Sequence, residues 1–141
     1  MARNDPFRVF RFLVEIDSVQ HGGFARVKGI SRETKLEARR EGGVNDYEHK
    51  LATMTTYGNL VLERGMTDDY LLSWHQEVVD GIVERRTVTI IVNDETGSRE
   101  TLRWLIQDAY PVKWTGTDLD ATSGAVLVES VELTHHGFRR A

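Results

Sequence analysis

Adjacent histidines, His135 and His136, are the clearest candidates for chemistry in this sequence, since imidazole nitrogens ligate transition metals. Neighbours on a strand point to opposite faces, so the two cannot readily chelate one ion and are expected as a surface pair. Asp68 and Asp69, with Asp80 and Glu84 downstream, could supply paired carboxylates for acid–base work. Their place just before an apolar helical run gives them a simpler role as caps that favour the helix dipole. Asp118-Leu119-Asp120 lacks the other ligands of a calcium loop and reads as a solvated turn. Gly22-Gly23 and Gly42-Gly43 do not precede a helix with the spacing of a phosphate cradle, which leaves turn geometry as their purpose. His75 falls on the apolar side of the predicted helix and is expected to be packed and hydrogen-bonded. Trp74, Trp104 and Trp114 could stack on bases, but in a small β-rich chain they are expected in core or interface. Arg85-Arg86 and Arg139-Arg140 are too short to line a nucleic-acid groove. No nucleophile has an identifiable base. The sequence therefore predicts a protein that is not an enzyme, with no catalytic residue, no metal and no cofactor.

The elements that would position these residues come from a chain of 141 residues, 40% hydrophobic and 28% charged, with two prolines. That composition can close one core and is not that of a disordered chain, so a single domain over 1–141 is expected. With no cysteine, disulfides and thiolate sites are excluded and packing alone must hold the fold. The net charge of −4 opposes a general nucleic-acid coat, which needs a surplus of lysine and arginine. Met1 to Asp5 is polar, and no apolar run approaches the roughly 20 residues of a membrane span. Assembly from a soluble chain, without membrane binding by the subunit, is expected.

Apolar residues at Phe10, Phe12, Val14 and Ile16 alternate with Arg11 and Glu15 and predict a half-buried strand over 7–16. Asp17 to Gly23 reads as a turn ending in the glycine pair, and Phe24 to Ile30 as the returning strand of a hairpin, interrupted by Gly29. Glu33 to Arg40 fits a strand with a polar face or an open edge. Glu41 to Tyr57 has no sustained period and reads as a long loop, too apolar at Tyr47, Leu51, Met54 and Tyr57 to be an idle tether. Gly58 to Gly65 predicts another strand. Thr67 or Asp68 then caps a helix with Leu71, Leu72, His75, Val78, Val79 and Ile82 at helical spacing, ending near Gly81. Arg86–Val92 and Ser98–Gln107 form a second hairpin around a turn at 93–97. Ala109 to Gly124 reads as a loop, and Ala125 to His135 as a last strand. The sum is a mainly β fold, a barrel or sandwich carrying one packed α-helix and a long loop.

In order and spacing, these runs resemble the tail-tube proteins of contractile phages and of related extracellular injection particles along nearly the whole chain. The first hairpin is carried by Asp5-Pro6-Phe7, Phe10 to Asp17, Gly22-Gly23-Phe24 and Val27-Lys28-Gly29-Ile30. Arg39-Arg40-Glu41-Gly42-Gly43, Tyr47 and Lys50-Leu51 resemble the family's long loop. Tyr57-Gly58-Asn59-Leu60 and Leu62-Glu63-Arg64-Gly65 resemble the next strand, and Asp68-Asp69, Trp74 and Val79-Asp80-Gly81 the helix. Glu84 to Ile90 and Asp108 to Trp114 complete the pattern. Ala52-Thr53-Met54-Thr55-Thr56 departs from it where proline, glycine and lysine are frequent, as does Glu63 where lysine is frequent. Both departures leave these surfaces less positive.

The resemblance implies a structural inner-tube subunit whose copies close six-membered rings that stack into a conduit for cargo protein or DNA. Sheath, baseplate and tube-terminator proteins would be its partners. It would be assembled in a bacterial or archaeal cytoplasm into a virion tail or phage-tail-like particle. The loop residues Gly42, Gly43, Tyr47, Leu51, Met54 and Tyr57 would reach the adjacent ring. Glu33, Lys35, Glu37, Arg39, Asn59, Val61 and Glu63 would lie on seam strands facing a wet lumen. A tube initiator or terminator of the same machine is the alternative within the family, and a small-ligand-binding β-barrel, such as a flavin binder, the alternative outside it.

Overall fold

The computed structural model describes residues 10–39, 49–97, 99–117 and 126–141. Its strands are β1 (Phe12–Ile16), β2 (Val19–Lys28), β3 (Arg32–Arg39), β4 (His49–Tyr57), β5 (Leu60–Thr67), β6 (Arg86–Asn93), β7 (Glu100–Gly116), β8 (Val126–Thr134) and β9 (Gly137–Arg140). One helix, α1 (Asp69–Val79), lies between β5 and β6. The sheet runs β6-β1-β2-β5-β8-β7, and β6 also pairs with β7, so six strands close on themselves as a barrel. Closure leaves these six strands no bare sheet edge along their paired lengths. β9 continues along β7 beyond the end of β8. Among the described residues β3 and β4 pair only with each other.

Inward-facing Val14, Ile16, Phe24, Leu62, Ile90 and Leu133 fill the barrel, and Leu71 and Trp74 of α1 close it. The helix starts where predicted: the Asp68 side chain accepts the Tyr70 N–H at 2.9 Å. It ends at Gly81 (φ +90°), where the Gly81 N–H donates to Val78 and the Ile82 N–H to Glu77, a left-handed stop that suits glycine. Trp74 donates its indole N–H to the Glu84 carbonyl at 2.9 Å and so fixes the chain leaving the helix.

The glycine pair is not part of the first turn. Asp17 and Ser18, both at positive φ, make a two-residue turn alone, and Gly22-Gly23 lies inside β2. The pairing of β1 with β2 shifts at His21, which marks a bulge. Beside it, a Cβ on Gly22 would meet Thr67 and one on Gly23 would meet the Phe10 ring. Close approach, rather than turning, calls for these glycines. Leu13 also departs from simple alternation: it is buried on the face opposite Val14, paired with buried Ile91.

The loop expected over 109–124 is strand as far as Gly116. β7 pairs with β6 up to Ala109 and then with β8 from Tyr110, with Asp108 at φ +51° where it changes partner. Pro111 masked this from the sequence. It is tolerated because β6 has already ended on one side and the β8 ladder is bulged between Pro111 and Lys113. The part of the predicted loop at 118–124 lies outside the described residues. The second half of the loop expected over 41–57 is also strand: 49–57 is β4.

Candidate assembly surface

β2 pairs with β5 as far as Lys28↔Val61, and β3 with β4 from Arg32↔Tyr57, with no change in the offset between partners. Midway, the Gly58 N–H donates to the Ser31 carbonyl at 3.2 Å. The four strands are therefore one long antiparallel hairpin, kinked at 29–31 and 58–59, whose first half is barrel wall and whose second half is a projecting ribbon. The kink requires Gly29: its φ is +86°, and a Cβ there would stand 2.0 Å from the Asn59 carbonyl oxygen.

The root of the ribbon rests on the end of the barrel. Tyr57 packs edge-on against Phe138 of β9 at 5.7 Å, and the Arg32 guanidinium lies 5.3 Å from the same ring. Buried His135 reaches the kink itself, with Nε2 2.9 Å from the Gly58 oxygen, while its Nδ1 faces the Gly137 N–H at 3.1 Å. Asn59 donates to the Glu132 carboxylate at 2.8 Å.

Beyond that root the ribbon is bare. Every residue of 32–38 and 50–56 is exposed, Leu36 and Met54 to 59% and 57%. One face carries Thr34, Leu36 and Ala38 opposite Thr55, Ala52 and Lys50, with the two threonine hydroxyls 2.8 Å apart. Glu33, Lys35 and Glu37 alternate onto the other face. A bulge between Thr34 and Leu36, where the Thr53 hydroxyl donates to the Lys35 carbonyl, adds twist. Among the described residues neither strand has a second neighbour. A two-stranded ribbon with no covered face is marginal in water, and its small, partly apolar face and two free edges are what a partner would complete.

The residues singled out from the sequence separate into three places. Gly42, Gly43 and Tyr47 lie outside the described residues. Leu51 and Met54 are exposed on β4 rather than in a loop, and Tyr57 is the partly buried root. Glu33, Lys35 and Glu37 are exposed on β3, while Arg39 pairs through its backbone with His49. Asn59, Val61 and Glu63 belong to the kink and β5. β5 is paired on both sides, by β2 and β8, so it has a face to offer but no open edge. On that face Glu63 lies 3.3 Å from Lys28 and 3.7 Å from Arg26, so the acidic residue sits among bases.

His135 and His136 do point apart, but they are not a surface pair. His136 is exposed, 3.6 Å from Asp108, whereas His135 is buried. Burial holds the His135 imidazole below its ordinary range. β9 is not legible in the sequence, because Gly137-Phe138-Arg139-Arg140 is too short to show a period. Among the described residues no three histidine or acidic side chains converge on a possible metal, and no helix is long and apolar enough to cross a membrane. Asp68 is occupied as a cap and as the partner of His21 at 2.8 Å, the His21 ring stacking on Tyr70. These contacts tie the helix start to β2.

The comparisons agree with this architecture. The family model for T4-like virus tail tube protein gp19 matches residues 8–139. A chain in the 6-fold symmetrised baseplate of the anti-feeding prophage is 30% identical over 94% of this chain and 93% of its own, with a TM-score of 0.69. A chain of the sheath-tube complex of the extracellular contractile injection system PVC, in its extended state, is 23% identical over 94% and 89%, with a TM-score of 0.70. One from the PVC sheath/tube terminator is 23% identical over 99% of both chains, with a TM-score of 0.68. No curated protein matches the sequence.

Proposed function

This chain belongs to the T4-like virus tail tube protein family, and from that premise we propose that it is a ring-forming inner-tube subunit of a contractile tail or injection particle. Six copies close a ring, rings stack inside a sheath, and the bore passes protein cargo or DNA. The whole chain, 1–141, acts as one structural unit without catalysis, assembled in the cytoplasm of the producing cell and bounded by baseplate and terminator proteins.

The observation that carries this reading is the ribbon β3–β4. It prolongs a barrel hairpin without changing register, yet among the described residues none covers its faces beyond the root or pairs with its outer edges. Joining ribbons from neighbouring copies supplies the missing ladder partners and repeats by rotation, so that the contacts close into a ring. The charged side bearing Glu33, Lys35 and Glu37 then suits a wet bore, with Arg39 on the same strand and Asn59, Val61 and Glu63 on the kink and β5. Segment 40–48, joining β3 to β4 and holding Gly42, Gly43 and Tyr47, serves the contact between rings together with Leu51 and Met54.

Negative-stain microscopy of the concentrated full-length protein tests this. Six-fold annuli or rods support it, and isolated globules at every concentration contradict it. Capped tubes of another family member, with no tubes from this chain alone, would support the terminator role instead. Removing only residues 41–48 should leave rings and stop stacking. Removal reaching residue 57 would delete β4 and tests nothing about stacking.

A further inference from the structure

We propose that His135 is the positioning residue of the assembly ribbon: as a neutral imidazole protonated on Nε2 it braces the kink at Gly58 against β9, and taking up a second proton releases the ribbon. The tautomer follows from its partners. The Gly58 carbonyl can only accept, so Nε2 carries the hydrogen, and the Gly137 N–H can only donate, so Nδ1 is bare. A proton on Nδ1 would place two N–H groups head to head, and either the ring or Gly137 must move.

Either movement is transmitted to the ribbon. Gly137 leads directly into Phe138, the ring on which both Tyr57 and Arg32 rest, and Gly58 is the residue through which β4 enters the kink. Gly137 is held at φ +141° with the Tyr57 ring 3.2 Å from where a Cβ would be, so little slack exists there.

Among the described residues, the charged and titratable groups around the brace do not supply a counter-ion. From β3 comes Arg32, a cation. From β4 comes Tyr57, its ring centre 5.8 Å from that of His135. His136 follows in the chain, itself beside Asp108 of β7, and its charge also disfavours protonation of His135. Glu132 of β8 is engaged by Asn59, and Arg139 and Arg140 of β9 are exposed. Burial penalises the charged form, so the folded imidazole titrates below its ordinary value. The resulting stability is present above the usual histidine range. It is lost as pH falls below that range, through the lower folded value.

The test uses the full-length chain, dilute enough to remain a single subunit, labelled with nitrogen-15. At neutral pH the His135 ring should show a protonated Nε2 and a bare Nδ1. As the ring titrates, amide exchange at Gly58 and Gly137 should rise about tenfold relative to core amides such as Leu62 in the same sample. In His135→Gln, which keeps a donor for the Gly58 oxygen and cannot titrate, that acid-induced rise should be absent. A proton on Nδ1 at neutral pH, or equal acid opening in wild type and His135→Gln, would overturn the proposal. The wild-type ring signal decides the tautomer even if the variant folds poorly. A second arm rests on the tube-subunit reading: rings of the wild type should fall apart on acidification and those of His135→Gln should not. A chain that forms no rings at any pH contradicts that reading, while the single-subunit measurements still decide the role of His135.

Discussion

One hairpin supplies both strands of the barrel wall and the most exposed strands among the described residues. Along β2 and β5, Phe24, Leu60 and Leu62 are sealed from solvent. Past the kink, which the register crosses unbroken, every residue of 32–38 and 50–56 is exposed. Backbone hydrogen bonding is the same in kind on both sides of Gly29, so it does not explain the difference. What differs is the second partner: β2 has β1, β5 has β8, and the ribbon has none among the described residues. A strand's stability comes from what covers its faces and edges, and the proposed tube assembly would have another copy cover the strands left bare in this one.

Mutations should separate the two halves. The largest effect is expected in the wall, where Leu62→Ala removes a fully buried side chain from the barrel and should cost about 3 kcal/mol of subunit stability in urea unfolding. Next comes the junction. Gly29→Ala places a Cβ against the Asn59 carbonyl at a left-handed φ and should cost about 2 kcal/mol, and the strain should show as faster exchange of the Ser31 and Gly58 amides. Asp68→Ala removes the helix cap and the His21 contact at the far end of β5. About 1 kcal/mol should be lost in thermal unfolding, with the ribbon unaffected. The smallest effect on the lone subunit is Leu36→Asp, under about 0.5 kcal/mol because the side chain is exposed. The same substitution should abolish ring formation in sedimentation. A Leu36→Asp chain that unfolds easily, or assembles normally, would erase the distinction between wall and ribbon.

The parts of this fold legible in the sequence are those with a local cause. β1, β6 and the helix announce themselves through periodicity, the Asp68 cap and Gly81. The family resemblance, carried by short runs from Asp5 to Trp114, pointed to a barrel with one helix and to tube assembly. What stayed hidden depends on long-range pairing. β4 reads as loop because Thr53, Met54, Thr55 and Thr56 have no inward face to set a period: the ribbon has no inside. The end of β7 reads as loop because Pro111 signals a break, and only its change of partner from β6 to β8 makes proline harmless there. His135 could not be told from His136, since burial of one and exposure of the other is decided by the Gly58 carbonyl, 77 residues away in the chain. Glu33, Lys35 and Glu37, which the resemblance offered as lumen-facing, lie exposed on β3, whereas the kink at Gly29 and its brace needed the structure.

Hydrogen exchange of segments 32–39 and 49–57, read by mass spectrometry in dilute subunit and in concentrated assembly, tests the assembly role of the ribbon most directly. The ribbon amides should exchange freely in the lone subunit and become protected on assembly by at least about tenfold, while the barrel strands β2 and β5 change little. Equal exchange of the ribbon in both states, with protection gained elsewhere, would contradict it.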